Sequence, residues 1–158
     1  ETRFIIHHAV AKVVDEEIFF NTTESGGTNC YTAYETASNL IDTEYPINMW
    51  NAYIWHFSDG EDSDPGRTME EVAKLLAKNI NMIGYGEVQP AEDSSWGNKN
   101  STLWESFEKS FPIQTIDDHG FKTLVGKDDL PLLCASIKAR EDIMPALKAF
   151  LKKDRWTK

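Results

Sequence analysis

The sequence predicts an α/β protein with a doubly wound, mostly parallel sheet and an antiparallel hairpin at one edge. Three observations carry this. Residues 4–8 and 11–14 are short β-prone runs with almost nothing between them, the pattern of a hairpin. Residues 50–57 are nearly all apolar or aromatic, as expected of a central strand covered by helices on both faces. Further strand-like runs alternate with segments whose apolar residues recur at helical spacing.

After the hairpin, the polar residues 21–27 read as a loop. Cys30, Ala33, Tyr34, Ala37, Leu40 and Ile41 then predict a helix that Thr28 is placed to cap and that Tyr45-Pro46 ends. The strand at 50–57 runs into Ser58-Asp59-Gly60-Glu61-Asp62-Ser63-Asp64-Pro65-Gly66, an acidic loop at its carboxyl end. A second helix is expected from Thr68, with Thr68 and Glu71 as a capping box and Met69, Val72, Ala73, Leu76 and Ile80 on its apolar face. A strand at 82–88 and a polar loop at 89–99 follow. Thr102 and Glu105 form another capping box, opening a short helix with Leu103, Trp104 and Phe107 inward. The pattern weakens over 112–129, where 121–125 reads as a strand or an extended loop. The last strand is expected at 132–137. A final helix begins near Glu141, takes Pro145 in its first turn, buries Ile143, Leu147, Phe150 and Leu151, and ends in Lys152, Lys153 and Arg155.

A chain of 158 residues, 41% hydrophobic and 11% aromatic, suits one domain, residues 1–158, with one core. The net charge of −10 opposes nonspecific attraction to nucleic acid or an anionic membrane and favours a cation or a basic partner. Cys30 and Cys134, each flanked by small or apolar residues, read as buried thiols kept reduced in a cytoplasm. No apolar run is long enough to span a bilayer, and the start at Glu1 shows neither a signal-peptide pattern nor an initiator Met, as in a piece cut from a longer chain. The sequons at Asn21 and Asn100 carry little weight without a secretion signal.

In doubly wound sheets ligands bind beyond the carboxyl ends of the strands. Both Ser25-Gly26-Gly27-Thr28 and Asp59 are expected there. Ser-Gly-Gly-Thr before a helix, and a buried strand ending in Ser58-Asp59-Gly60, resemble the second and third parts of the metal-ion-dependent adhesion site of von Willebrand factor A domains, which have a Rossmann-like fold. More narrowly, 14–20, Glu24-Ser25-Gly26-Gly27-Thr28, Tyr45-Pro46 with Trp50-Asn51-Ala52-Tyr53, Ser58-Asp59-Gly60-Glu61 and Arg140-Glu141-Asp142-Ile143-Met144-Pro145 look like the uncharacterised bacterial YeaH/YhbH family. That resemblance implies a role in stress response or sporulation and association with a serine-protein kinase bearing an ATPase core. It also implies a departure: the Asp-x-Ser-x-Ser strand that opens such domains is absent from these residues. By analogy that strand is central, so a gap in the sheet is expected, completed by upstream sequence, closed directly, or filled by a strand from another chain.

The resemblance makes Thr28 and Asp59 the metal candidates and Ser25, Gly26, Gly27, Glu61 and Asp62 the partner-facing ones. Mg²⁺ or Mn²⁺ prefers six oxygen ligands, and a hydroxyl with a carboxylate supplies two, so this chain alone is expected to bind weakly until a partner's carboxylate completes the shell. Thr28 is equally a helix cap, and one Thr can do both. Glu61, Asp62 and Asp64 also read as a solvated acidic rim. His7 and His8, adjacent in a strand, point to opposite faces and cannot share a metal. His56 reads as a core histidine and the tryptophans as packing residues. No Gly-rich phosphate loop, nucleophile elbow or Cys-based metal motif is present, and no cofactor-binding residue is assigned. The expected function is therefore a noncatalytic protein-interaction module. The alternatives are a metal-dependent hydrolase using Asp59, Glu61, Asp62 and His56, and a structural fragment without a ligand.

Overall fold

A computed structural model describes residues 1–22, 28–88 and 101–152. The predicted loop at 89–99, Ser25, Gly26, Gly27, Lys153 and Arg155 lie outside these residues. The chain divides into two compact units, residues 1–50 with 62–79 and residues 51–61 with 80–158.

In the first unit, β1 (Phe4–His7) and β2 (Ala11–Val14) form the expected antiparallel hairpin, with Phe4 opposite Val14 and His7 opposite Ala11. It stands as its own two-stranded sheet rather than as the edge of the larger one. A short helix α1 (Glu16–Asn21) follows, in a stretch to which the sequence assigns no element. Asp15 caps it by accepting the Ile18 N–H at 2.8 Å, and Phe4, Phe19 and Phe20 gather their rings at 5.0–5.9 Å. Helix α2 (Tyr31–Thr43) buries Tyr34, Ala37 and Ile41. Helix α3 (Pro65–Ala77) buries Thr68, Met69, Glu71, Val72 and Leu75. Leu75 is buried where the sequence put Ala73, which is exposed, and Ile80 lies beyond the helix end. The helix also starts earlier than expected. Asp64, not Thr68, is the N-cap, accepting from the Arg67 N–H, and Pro65 takes the first helical position, where no N–H is needed.

The second unit holds a five-stranded sheet in the order β3-β4-β7-β6-β5. Its strands are β3 (Tyr53–Ser58), β4 (Met82–Val88), β5 (Ile113–Asp118), β6 (Phe121–Gly126) and β7 (Leu132–Ile137). β3, β4 and β7 run parallel, β6 opposes β7, and β5 opposes β6. β4 and β7 match the predicted boundaries, and their buried residues are nearly continuous, as strands covered on both faces require. β3 departs from expectation. It starts at Tyr53 rather than Trp50, it is an edge strand among the described residues, and Tyr53 and Phe57 are exposed. Its aromatic content signalled a strand correctly but said nothing of its neighbours.

Two helices cover opposite faces of this sheet. Helix α4 (Thr102–Ser110) buries Leu103, Trp104 and Phe107, and Phe107 stacks on Tyr85 at 5.1 Å. Its N-cap is Ser101, one residue before the predicted Thr102. Helix α5 (Ile143–Phe150), after a single 3₁₀ turn at Arg140–Asp142, packs Ala146 and Phe150 against Met82, Leu133, Ala135 and Ile137 on the other face. Ile143, Leu147 and Leu151, predicted to be buried with Phe150, are exposed. The weak region at 112–129 resolves into the β5–β6 hairpin, turned by His119 and Gly120 at φ 52° and 93°. Both central residues at positive φ is the two-residue turn whose twist suits a hairpin.

Candidate functional site at the carboxyl end of the parallel strands

Register puts polar residues in two rows on the α4 face of the second unit. His56, Tyr85 and Cys134 lie side by side, and one row further along the strands lie Ser58, Glu87 and Ser136. Glu87 is fully buried, and a buried carboxylate is costly unless its oxygens are hydrogen-bonded. Its Oε2 accepts from Tyr85 Oη at 3.2 Å and from the Ser101 hydroxyl. Tyrosine has one proton to give, so Ser58 donates to Tyr85 across the 3.1 Å contact between their hydroxyls, and Ser58 Oγ accepts the Gly60 N–H at 3.1 Å. Ser101 Oγ in turn accepts the Trp104 N–H. A continuous relay thus runs from the Gly60 amide through Ser58 and Tyr85 to Glu87, and from Glu87 to the start of α4.

The relay fixes the loop that follows β3. Gly60 sits at φ 91°, and its carbonyl accepts the Leu103 N–H and the Thr102 hydroxyl at 3.1 and 3.0 Å. That gives partners to donors a helix start otherwise leaves open. The carboxylate of Glu87 beside the first turn of α4 also suits the positive end of that helix. Asp59 is exposed at the tip of this support, at the carboxyl end of β3, with Oδ1 accepting the Glu61 N–H at 3.1 Å. Glu61 is exposed beside it. His56 is buried as expected, its ring 5.3 Å from that of Tyr85. Cys134 is a buried thiol outside any disulfide, and burial, together with the charges of Glu87 and Glu108, pushes it well above the ordinary cysteine range. Ser136 Oγ is buried with no hydrogen-bond partner among the described residues.

Thr28 and Asp62 belong to the first unit. Thr28 is not the cap of α2: Cys30 holds that position, without a side-chain cap, and the Thr28 carbonyl accepts the Ser63 N–H at 2.8 Å. The carboxylate that serves the α2 start is Asp62. It accepts from the Cys30 N–H at 3.2 Å, from the Asp64 N–H at 3.3 Å and from the hydroxyl of fully buried Thr68. Asp62 is therefore partly buried and tied into the loop rather than standing on a solvated rim, while Asp64 caps α3. Asp62→Ala is expected to lower stability by about 1–3 kcal/mol, because it strands a buried hydroxyl and removes charged hydrogen bonds. A change in the thermal midpoint equivalent to under about 0.5 kcal/mol, the usual size for an ordinary surface substitution, would restore the rim description.

Sequence reasoning singled out Asp59 and passed over Tyr85, Glu87, Ser101 and Ser136. One signal was present. Glu87 is the single charge in the run Met82–Val88 and stands two residues from Tyr85, hence on the same face of a strand otherwise apolar or glycine.

An α/β chain with a polar carboxyl-end cluster of this kind is defined as to class. The family described as "Protein of unknown function (DUF444)" matches over residues 1–154, and the chain belongs to that family. It is 36% identical over 156 residues to UPF0229 proteins of Bacillus thuringiensis (strain Al Hakam), Bacillus cereus (strain G9842) and Bacillus anthracis (strain CDC 684 / NRRL 3495). Each alignment covers 98% of this chain and 34% of the relative, so the chain spans about a third of the length of the curated relatives it matches. No solved structure matches. Among the described residues no helix is long and apolar enough to cross a membrane.

Proposed function

We propose that the chain is part of a von Willebrand factor A-like, noncatalytic protein-interaction module in which Asp59 supplies an oxygen ligand to Mg²⁺ or Mn²⁺ and a partner's carboxylate completes the shell. The supporting observation is Asp59 itself: an exposed carboxylate at the carboxyl end of a parallel strand, on a loop whose backbone is held by a buried hydroxyl and carboxylate relay. A preorganised ligand loses less freedom on binding than one on a slack loop. The edge position of β3 is compatible with a further strand beside it, as the resemblance requires. Thr28 is proposed as a second oxygen ligand, and Ser25, Gly26, Gly27 and Glu61 as partner-facing residues; Asp62, whose carboxylate is taken up by Cys30, Asp64 and Thr68, is not among them. The YeaH/YhbH resemblance points to a serine-protein kinase with an ATPase core as that partner, acting in stress response or sporulation in the cytoplasm.

Calorimetric titration of Mg²⁺ and of Mn²⁺ into the wild-type chain, Asp59→Ala and Thr28→Val tests this. Weak heats that vanish in Asp59→Ala and shrink in Thr28→Val are expected. Tight binding with turnover of a phosphate or ester substrate would instead favour a hydrolase using Asp59, Glu61, Asp62 and His56. Identical traces for all three proteins would leave the acidic loop a structural feature only.

A further inference from the structure

Helix α5 is apolar on more than the face it buries. Ala146 and Phe150 point to the sheet, yet Ile143, Met144, Leu147 and Leu151 are 46%, 58%, 38% and 66% exposed. At 100° per residue these four fall within one outward stripe, with Ile143, Leu147 and Leu151 forming a ridge at a spacing of four. Lys148 is exposed on one border of the stripe and Lys152 just past the helix end, and Lys138 and Arg140 are exposed at its start. Of the acids in residues 138–152, Asp142 is already engaged, its Oδ2 accepting the Lys138 and Ala139 N–H groups at 2.9 and 3.0 Å, which leaves Glu141 as the one exposed acid there. The edge of the stripe is therefore basic in a chain whose net charge is −10.

We propose that this face of α5 docks an acidic amphipathic helix of a separate protein, which lays its apolar side along Ile143, Leu147 and Leu151 and its carboxylates against Lys148 and Lys152. Charge decides among occupants. A second copy packed antiparallel would bring the Lys148 and Lys152 borders together, and like charges across a dry contact are strongly unfavourable. An anionic membrane would need a longer anchor than two turns of helix to offset repulsion from the rest of the chain. A helix with glutamates flanking a leucine ridge matches both the ridge and the border.

The test uses a fluorescent synthetic amphipathic peptide with leucines at helical spacing and glutamate flanks, and a twin with lysine flanks. Anisotropy is followed against the wild-type chain, Leu147→Ser/Leu151→Ser and Lys148→Glu/Lys152→Glu. All four positions are exposed, so both variants are expected to keep the wild-type circular dichroism spectrum. The glutamate peptide should bind the wild-type chain, lose at least about tenfold in affinity on either double substitution, and weaken with added salt. The lysine twin should bind only the charge-reversed variant. Several results would overturn the proposal: no binding of the glutamate peptide, equal binding of both peptides, or affinity unchanged by the substitutions. It also fails if sedimentation shows self-association through Leu147 and Leu151, or if phosphatidylserine vesicles retain the chain through those two residues.

Discussion

Gly60→Ala is expected to destabilise the second unit by about 3 kcal/mol or more, seen as a lower urea midpoint in tryptophan fluorescence. Two terms add. At φ 91° a Cβ costs about 1–2 kcal/mol in backbone strain. It would also stand 2.7 Å from Glu87 Oε2 and overlap the Ser101 side chain, so Ser101 must release Glu87 or α4 must retreat. Losing a hydrogen bond to a buried carboxylate is worth a further 1.5–3 kcal/mol, roughly. Gly120→Ala separates the terms, because Gly120 has φ 93° and a Cβ added there would meet nothing within 4 Å, so only the strain of about 1–2 kcal/mol applies. Equal losses for the two substitutions would show that the relay does not constrain the Asp59 loop.

Phe150→Ala should cost about 3–5 kcal/mol, the range for removing a buried aromatic ring. The ring is 1% exposed, lies edge-on to Trp55 at 5.3 Å and to Phe57 at 6.3 Å, and approaches Gly84 so closely that a Cβ there would meet it at 3.1 Å. Leu151→Ala, one position on, is expected to change stability by less than about 0.5 kcal/mol, since that side chain is largely in solvent. The pair reads the rotation of α5 directly. Comparable losses at both positions would mean that the helix turns its Leu147 and Leu151 ridge inward, which would also remove the proposed docking face.

Patterns confined to a few neighbouring residues were legible. The first hairpin, β4, β7 and the existence of α2, α3, α4 and α5 follow from period, length and breakers in contiguous segments. Caps were read less well, because several hydroxyl and carboxyl residues cluster near each start and the sequence does not say which turns first. Thr28, Thr68 and Thr102 each lost that role to Cys30, Asp64 and Ser101. The rotation of α5 was misjudged for a different reason. A helix apolar nearly all round has no unique buried face until a sheet chooses one. The β5–β6 hairpin was obscured because its strand β5 is mostly exposed, leaving the His119-Gly120 turn as its clearest mark.

By itself the sequence determined an α/β chain, its strongest strands, two buried thiols and an acidic carboxylate at Asp59, all consequences of side-chain chemistry and periodicity along the chain. Only the tertiary structure decided that β3 is an edge strand among the described residues, that Asp62 ties a loop instead of facing water, and that Glu87 anchors a relay to Ser101. Those outcomes depend on pairing between residues far apart in sequence. Strand register and burial create such pairings, and no local pattern encodes them.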